Sequence, residues 1–285
     1  MSSTLRRPAL RAEVLHDRAE LVALVDADPL VNVVVSARLR ALATIDGRRF
    51  GGTLLGVRDR DGRLRAAAFS GGNLLPIGGG PDDWVALAEH LARTPRDCTS
   101  IVGRAAAVGV MWQVLAPVWG PARAVRAQQP LLMSEQVATG WRTDPRVRAI
   151  QPDELEGYLP AAAAMFTEEL GVSPYLSSGA GDYRRRTAGL IKARRAFGIV
   201  ENGEVIFKAD LGVVSPHTCQ VQGVWVRPDL RGRGIGTAAL PVVLRHGLTL
   251  APTVSLYVND FNTAARRVYA RLGLREAAVL STVLF

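Results

Sequence analysis

The sequence predicts a mixed α/β fold in which one plan of helices and strands is used twice along 285 residues. Three observations carry this. Short apolar runs with strand-like alternation are interleaved with runs of helical spacing through both halves of the chain. Each half has a glycine-rich junction between an extended run and a helical one, at residues 78–80 and 231–236. The length is at the upper end for one domain and comfortable for two. A linker is expected within residues 140–148, where Gly140, Pro145 and several charges interrupt the periodicity. The expected domains are therefore 1–142 and 147–285.

In the first half, helices are expected at 18–25 and 30–42, then strands at 52–57 and 64–70. The run Leu74-Leu75-Pro76-Ile77 precedes Gly78-Gly79-Gly80. A helix at 82–92, a strand at 99–102, a helix at 105–118 and a strand at 125–133 complete this half.

In the second half, Pro152-Asp153-Glu154 marks a helix start, because acidic groups are favoured at the positive end of the helix dipole. That helix is expected over 155–169, and a second over 183–194. Strands at 197–201 and 205–214 flank Asn202-Gly203, a dipeptide that accepts the positive φ angles of a tight hairpin. A strand at 218–226, a helix at 234–246, a strand at 254–258, a helix at 263–272 and a final strand pair follow. Pro241 sits inside one of these helices, where a missing backbone donor predicts a kink.

The junction Arg231-Gly232-Arg233-Gly234-Ile235-Gly236 has the most chemical content. The first N–H groups of a helix lack intrahelical acceptors and carry the positive end of its dipole, so an anion there is favoured. Glycines keep side chains away from such an anion and admit backbone angles closed to other residues. Arg231 and Arg233 add charge at the rim. A strand-to-helix turn without a ligand would use the same glycines. A dinucleotide site would fit G-x-G-x-x-A at Gly234 to Ala239, with Asp260 beyond it. That fingerprint needs a tight turn directly after its strand, whereas seven residues separate Trp225 from Arg233. No Gly-Lys-Ser/Thr follows, which excludes a P-loop.

From residue 218 to 285 the chain resembles the GNAT superfamily of acyl-CoA-dependent N-acyltransferases. Arg231-x-x-Gly234-x-Gly236 matches that family's Q/R-x-x-G-x-G/A motif after Val224-Trp225-Val226-Arg227-Pro228. Asn259-Asp260-Phe261-Asn262 and Tyr269-x-x-x-Gly273-Leu274 then follow in the family's order. The resemblance implies two tandem GNAT-like domains, each a mostly antiparallel central sheet flanked by helices. More closely, the arrangement is similar to actinobacterial GNAT proteins that carry an uncharacterised GNAT-like N-terminal domain. In the first half the corresponding loop, Gly78-Gly79-Gly80-Pro81-Asp82-Asp83, lacks the arginine and sets two carboxylates where pyrophosphate would sit, which disfavours coenzyme A.

The resemblance also implies roles in acetyl transfer from acetyl-CoA. Val224 and Val226, flanking Trp225, would pair with the pantetheine arm, and the Val224 N–H would polarise the thioester carbonyl. The loop of Arg231, Gly232, Arg233, Gly234, Ile235, Gly236 and Thr237 would take the pyrophosphate, and Asn262 would bond the coenzyme arm. Gly223 would ease a bulge that opens the cleft. Tyr269 would be the general acid for the departing thiolate, with core packing as its plainer role. Many relatives carry a glutamate before the motif, but Gln220 and Gln222 stand here, and an amide accepts no ammonium proton. Glu168 and Glu169 are then the expected bases, with Asp210 second and a water chain as the alternative. The acceptor would be the primary amine of a small molecule or peptide. A mycothiol-synthase-like activity and an acetyl-CoA-binding sensor without catalysis remain beside the simple acetyltransferase. Fem-type transfer from aminoacyl-tRNA is disfavoured by the clear coenzyme loop.

Composition adds limits. The formal net charge is +9, yet Lys192 and Lys208 are the only lysines, so arginine supplies the charge. That bias suits a G+C-rich genome as well as a polyanionic ligand, and it does not by itself call for nucleic acid. Cys98 and Cys219 lie in different halves, which argues against a disulfide framework. His16, His90, His217 and His246 are scattered, so no metal site is expected. Residues 1–10 do not read as a signal peptide or anchor, and the early apolar run is too short to span a bilayer. A soluble cytoplasmic protein is expected, with oligomeric state open between self-paired domains and a homodimer.

Overall fold

The computed structural model describes residues 10–177 and 179–285. The expectation for the first ten residues falls almost wholly outside that range. The chain forms two compact units. Unit 1 comprises residues 1–131, 257–261 and 276–285, and unit 2 residues 132–256 and 262–275.

In chain order, unit 1 begins with β1 (Ala12–Val14), α1 (Arg18–Asp26), α2 (Val33–Ala41) and α3 (Gly47–Phe50). It continues with β2 (Gly52–Arg58), β3 (Leu64–Gly71), β4 (Leu74–Gly78) and α4 (Pro81–Leu91). β5 (Ser100–Arg104), α5 (Ala105–Trp119) and β6 (Ala124–Ser134) follow. Asp17 starts α1 by accepting from the Ala19 and Glu20 amides, at 2.7 and 3.2 Å. β1 to β4 pair antiparallel in sequence order. The alternation of strand side chains divides the core between the two faces of this sheet. Leu55, Ala66 and Ala68 pack with α4 and α5 through Leu87, Met111 and Leu115. Leu54, Ala67 and Phe69 pack with α1 and α2 through Leu21, Val25 and Leu39.

Unit 2 contains β7 (Arg148–Ala149), α6 (Leu155–Leu170), α7 (Pro174–Ser177) and α8 (Ala180–Lys192). β8 (Ala196–Glu201), β9 (Glu204–Val214), β10 (Cys219–Val226) and α9 (Ile235–Leu250) come next. β11 (Val254–Tyr257) and α10 (Thr263–Arg271) complete it, and β12 (Arg275–Leu284) ends the chain. β7 to β10 pair antiparallel in order, and β10 pairs parallel with β11. Asn202 and Gly203 both take positive φ, 51° and 80°, as the hairpin between β8 and β9 requires. α6 and α8 cover one face through Tyr158, Leu159, Tyr183 and Ile191. On α9, Ala239, Leu240, Val243 and Leu244 are buried, and the helix runs uninterrupted through Pro241.

One expectation is corrected here. A strand pair was expected to end the second half, but a single ten-residue strand, β12, follows α10. β12 belongs to unit 1, where it runs antiparallel along β5 from Leu280↔Arg104 to Leu284↔Ser100. Phe285 lies 5.6 and 5.8 Å from the Trp112 and Trp119 rings, and the Arg96 guanidinium stacks 4.1 Å above its centroid. No helix among the described residues is long and apolar enough to cross a membrane. No group of His, Cys, Asp and Glu among them is arranged to hold a metal ion.

Candidate active site

The glycine loop of unit 2 joins β10 to α9. A single 3₁₀ turn, Pro228–Leu230, leads out of the strand, and Gly232 and Gly234 take φ of 77° and 79°. Gly234 is the N-cap of α9 and supplies no side chain to the exposed amides. The first helical bond runs from the Ala238 N–H to the Gly234 carbonyl. The amides of Ile235, Gly236 and Thr237 therefore have no intrahelical acceptor. A Cβ placed at Gly232 or Gly234 would meet nothing within 4 Å, and one at Gly236 would only touch Val226 at 3.6 Å. Open space over a row of amides fits a phosphate group.

Of the two rim arginines, Arg233 is exposed and outside any ion pair among the described residues, whereas Arg231 is a latch. Its Nε donates to the Val226 carbonyl at 3.0 Å, and its terminal nitrogens meet both Glu168 oxygens at 2.8 and 2.6 Å. That bidentate pair holds the Glu168 carboxyl below its usual range. Glu168 is thus a weaker base than its sequence position suggested.

Beside the loop, β10 parts from its neighbour. Pairing with β11 consists of Cys219↔Val254 and Gln220↔Ser255, and no further pair follows. Against β9, the register shifts between Gln222 and Trp225, leaving Gly223 and Val224 as a bulge. Gly223 has φ of 59°, and a Cβ there would come 2.7 Å from Met165 Cε and 2.8 Å from Lys208 Nζ, so only glycine fits. Val224 and Val226 are partly exposed, while Trp225 is buried in the core under α6.

Tyr269, on α10, is 7% exposed. Burial, and then the Glu169 carboxylate, push its phenol well above the ordinary value. The phenol is therefore protonated and able to donate. Asn262 caps α10, its Oδ1 accepting from the Ala265 N–H at 3.1 Å, so its amide hydrogens are the part that can reach a ligand. Gln222 Nε2 donates to Gln220 Oε1 at 2.8 Å, which ties the two amides together on β10. The Cys219 thiol is pushed up to about 12 and the Cys98 thiol to about 11, both chiefly by burial. Neither is a thiolate near neutral pH.

Asp210 is committed on both oxygens. Tyr158 donates to Oδ1 at 2.6 Å and Lys208 to Oδ2 at 2.7 Å, which removes it from the candidate bases. Lys208 has no exposed surface and also donates to the Gly223 carbonyl at 3.0 Å. The sequence reading missed this lysine. Its signal is the run Val205-Ile206-Phe207-Lys208-Ala209-Asp210-Leu211, where a lysine and an aspartate two residues apart share one face of an otherwise apolar strand.

Residues 163–274 match the Acetyltransferase (GNAT) family, and residues 52–158 match a domain of unknown function, DUF4081. A 55-residue stretch is 36% identical to the peptidyl-lysine N-acetyltransferase YjaB of Salmonella typhimurium. That stretch is 19% of this chain and 35% of YjaB, so the chain spans about a third of the length of that relative. Among solved structures, a GNAT-family acetyltransferase from Colwellia psychrerythraea superposes with a TM-score of 0.59 at 14% identity, covering 96% of this chain and 99% of that one. A tandem GNAT protein of the clavulanic acid biosynthesis pathway gives 0.51 at 16% identity, covering 96% and 98%. At these identities the two structures speak to the fold.

Proposed function

We propose that this chain, whose residues 163–274 match the Acetyltransferase (GNAT) family, moves the acetyl group of acetyl-CoA directly to a primary amine. The observation that carries the reading is the open row of amides at Ile235 to Thr237 beside a bulged strand that has parted from β11. Acetyl-CoA supplies an activated thioester. The loop amides and Arg233 hold its pyrophosphate, the edge of β10 at Val224 and Val226 binds the pantetheine arm, and Asn262 donates to that arm. The Val224 N–H meets the thioester carbonyl as charge develops on it. Tyr269 gives its proton to the departing thiolate. Both cysteines are buried, protonated thiols, which favours direct attack by the amine over an acyl-cysteine route.

Glu169, whose carboxylate acts on the Tyr269 phenol, takes the ammonium proton in this reading, directly or through water. Residues 1–142 carry no coenzyme site in this reading and serve as a companion domain to 147–285. The test is thiol release from acetyl-CoA across an amine panel: a lysine peptide, a polyamine, an aminoglycoside, a mycothiol precursor and free amino acids. The lysine peptide is included because YjaB is a peptidyl-lysine N-acetyltransferase. Turnover with at least one amine supports the reading. Tight acetyl-CoA binding with no turnover on any of them would favour a sensor.

A further inference from the structure

The bulge on β10 is held from behind by a buried charge cluster. Lys208 Nζ, with no exposed surface, donates to Asp210 Oδ2 at 2.7 Å and to the Gly223 carbonyl at 3.0 Å. Tyr158 fixes the other Asp210 oxygen at 2.6 Å, and its ring centroid lies 5.5 Å from the ammonium. An ion pair kept only for stability would be complete with Asp210. The third contact reaches one peptide, inside the register shift between Gln222 and Trp225 that leaves Gly223 and Val224 without partners on β9.

That peptide joins Gly223 to Val224. It is planar, and the described residues contain no cis bond, so its C=O and N–H point in opposite directions. Pinning the carbonyl on Lys208 therefore directs the Val224 N–H away from the cluster. The same cation draws electron density through the amide, which strengthens the N–H as a donor. The fit is close, since even a Cβ on residue 223 would come 2.8 Å from Nζ.

We propose that Lys208 is a positioning residue that clamps and polarises the Gly223–Val224 peptide, so that the Val224 N–H is preset for the thioester carbonyl, with Asp210 and Tyr158 holding the clamp. The proposal rests on the acetyl-CoA reading above, and it adds a function for a group that never touches the reacting atoms.

Infrared spectra of acetyl-CoA carrying ¹³C at the thioester carbonyl, bound to the whole protein, read the polarisation directly. In the wild-type protein the carbonyl band is expected below its frequency in free acetyl-CoA. Lys208→Met together with Asp210→Asn leaves no unpaired buried charge. This double variant is expected to return the band most of the way to the free value and to lower kcat about 10- to 100-fold, as for a weakened oxyanion donor. Its Kd for acetyl-CoA should stay within about 3-fold, because the phosphate loop holds most of the coenzyme. Lys208→Arg keeps a donor and should retain part of the band shift. Tyr158→Phe, which removes only one hydroxyl, should move the band a smaller distance in the same direction, and it carries the test if the double variant does not fold. A variant with a native circular dichroism spectrum, an unmoved carbonyl band and an unchanged kcat would overturn the clamp. A wild-type protein that binds no acetyl-CoA would overturn the site reading beneath it.

Discussion

The two glycine-rich junctions of this chain are built alike and filled differently. Each follows a strand, each has glycines at positive φ, and each opens a helix. At the first, Asp83 turns back over the start of α4, and its Oδ2 accepts from the Gly80 N–H at 2.9 Å and from Arg65 at 3.0 Å. The helix there carries its own anion, wholly buried. Its glycines are packed too, since a Cβ at Gly78 would come 2.6 Å from Leu24 and one at Gly79 2.5 Å from Ala66. At the second, the cap residue is Gly234, which has no side chain to offer the amides, and the space above Gly232 and Gly234 is open. A helix N-terminus attracts an anion in both places. Whether that attraction becomes a binding site depends on whether the chain has already supplied the anion.

Filling the second loop should have the largest effect. Gly236→Glu places a carboxylate among the amides without demanding an unusual backbone, because Gly236 lies inside α9. Calorimetry should find acetyl-CoA affinity reduced at least about 100-fold, from charge repulsion and loss of the cradle, in a protein that still melts cooperatively. Next in size is Tyr269→Phe, expected to lower kcat about 10- to 100-fold while acetyl-CoA binds within about 2-fold. An unchanged rate would make Tyr269 a packing residue.

In the first loop, Asp83→Ala should cost about 1–3 kcal/mol in urea unfolding, because the Gly80 amide loses its partner, and should leave acetyl-CoA affinity as it was. The smallest effect is expected from Glu168→Gln. Its pair with Arg231 is about half exposed and is worth less than about 1 kcal/mol once solvent screening is included. Because Arg231 lowers the Glu168 pKa, the contribution is complete above the ordinary carboxylate range and is lost as pH falls through the lowered value. Wild type and variant should therefore converge in stability in acid and differ slightly at neutral pH.

What could be read from the sequence was what local chemistry determines. The Asn202-Gly203 hairpin, the helix expected at 18–25 and the glycine loop before α9 all follow from neighbours a few residues apart. The short elements β1, α3 and α7 were not foreseen, since three or four residues give periodicity too little to work on. Harder still were pairings across long separations. β12 takes β5 as its partner some 180 residues earlier in the chain, and alternation within a strand says which face is buried without naming a neighbour. The same limit governed the site. The motif identified Arg231, but not its engagement with Glu168, 63 residues away. Asp210 looked like a base until Tyr158 and Lys208 were found on its two oxygens.

The contrast between the loops is tested most directly by titrating acetyl-CoA into the full chain and counting sites. One equivalent per chain, from a single class of sites, is the expected result. Two equivalents would mean that the loop at Asp83 also accepts the coenzyme, and none would mean that the open loop at Gly234 does not; either would contradict the account.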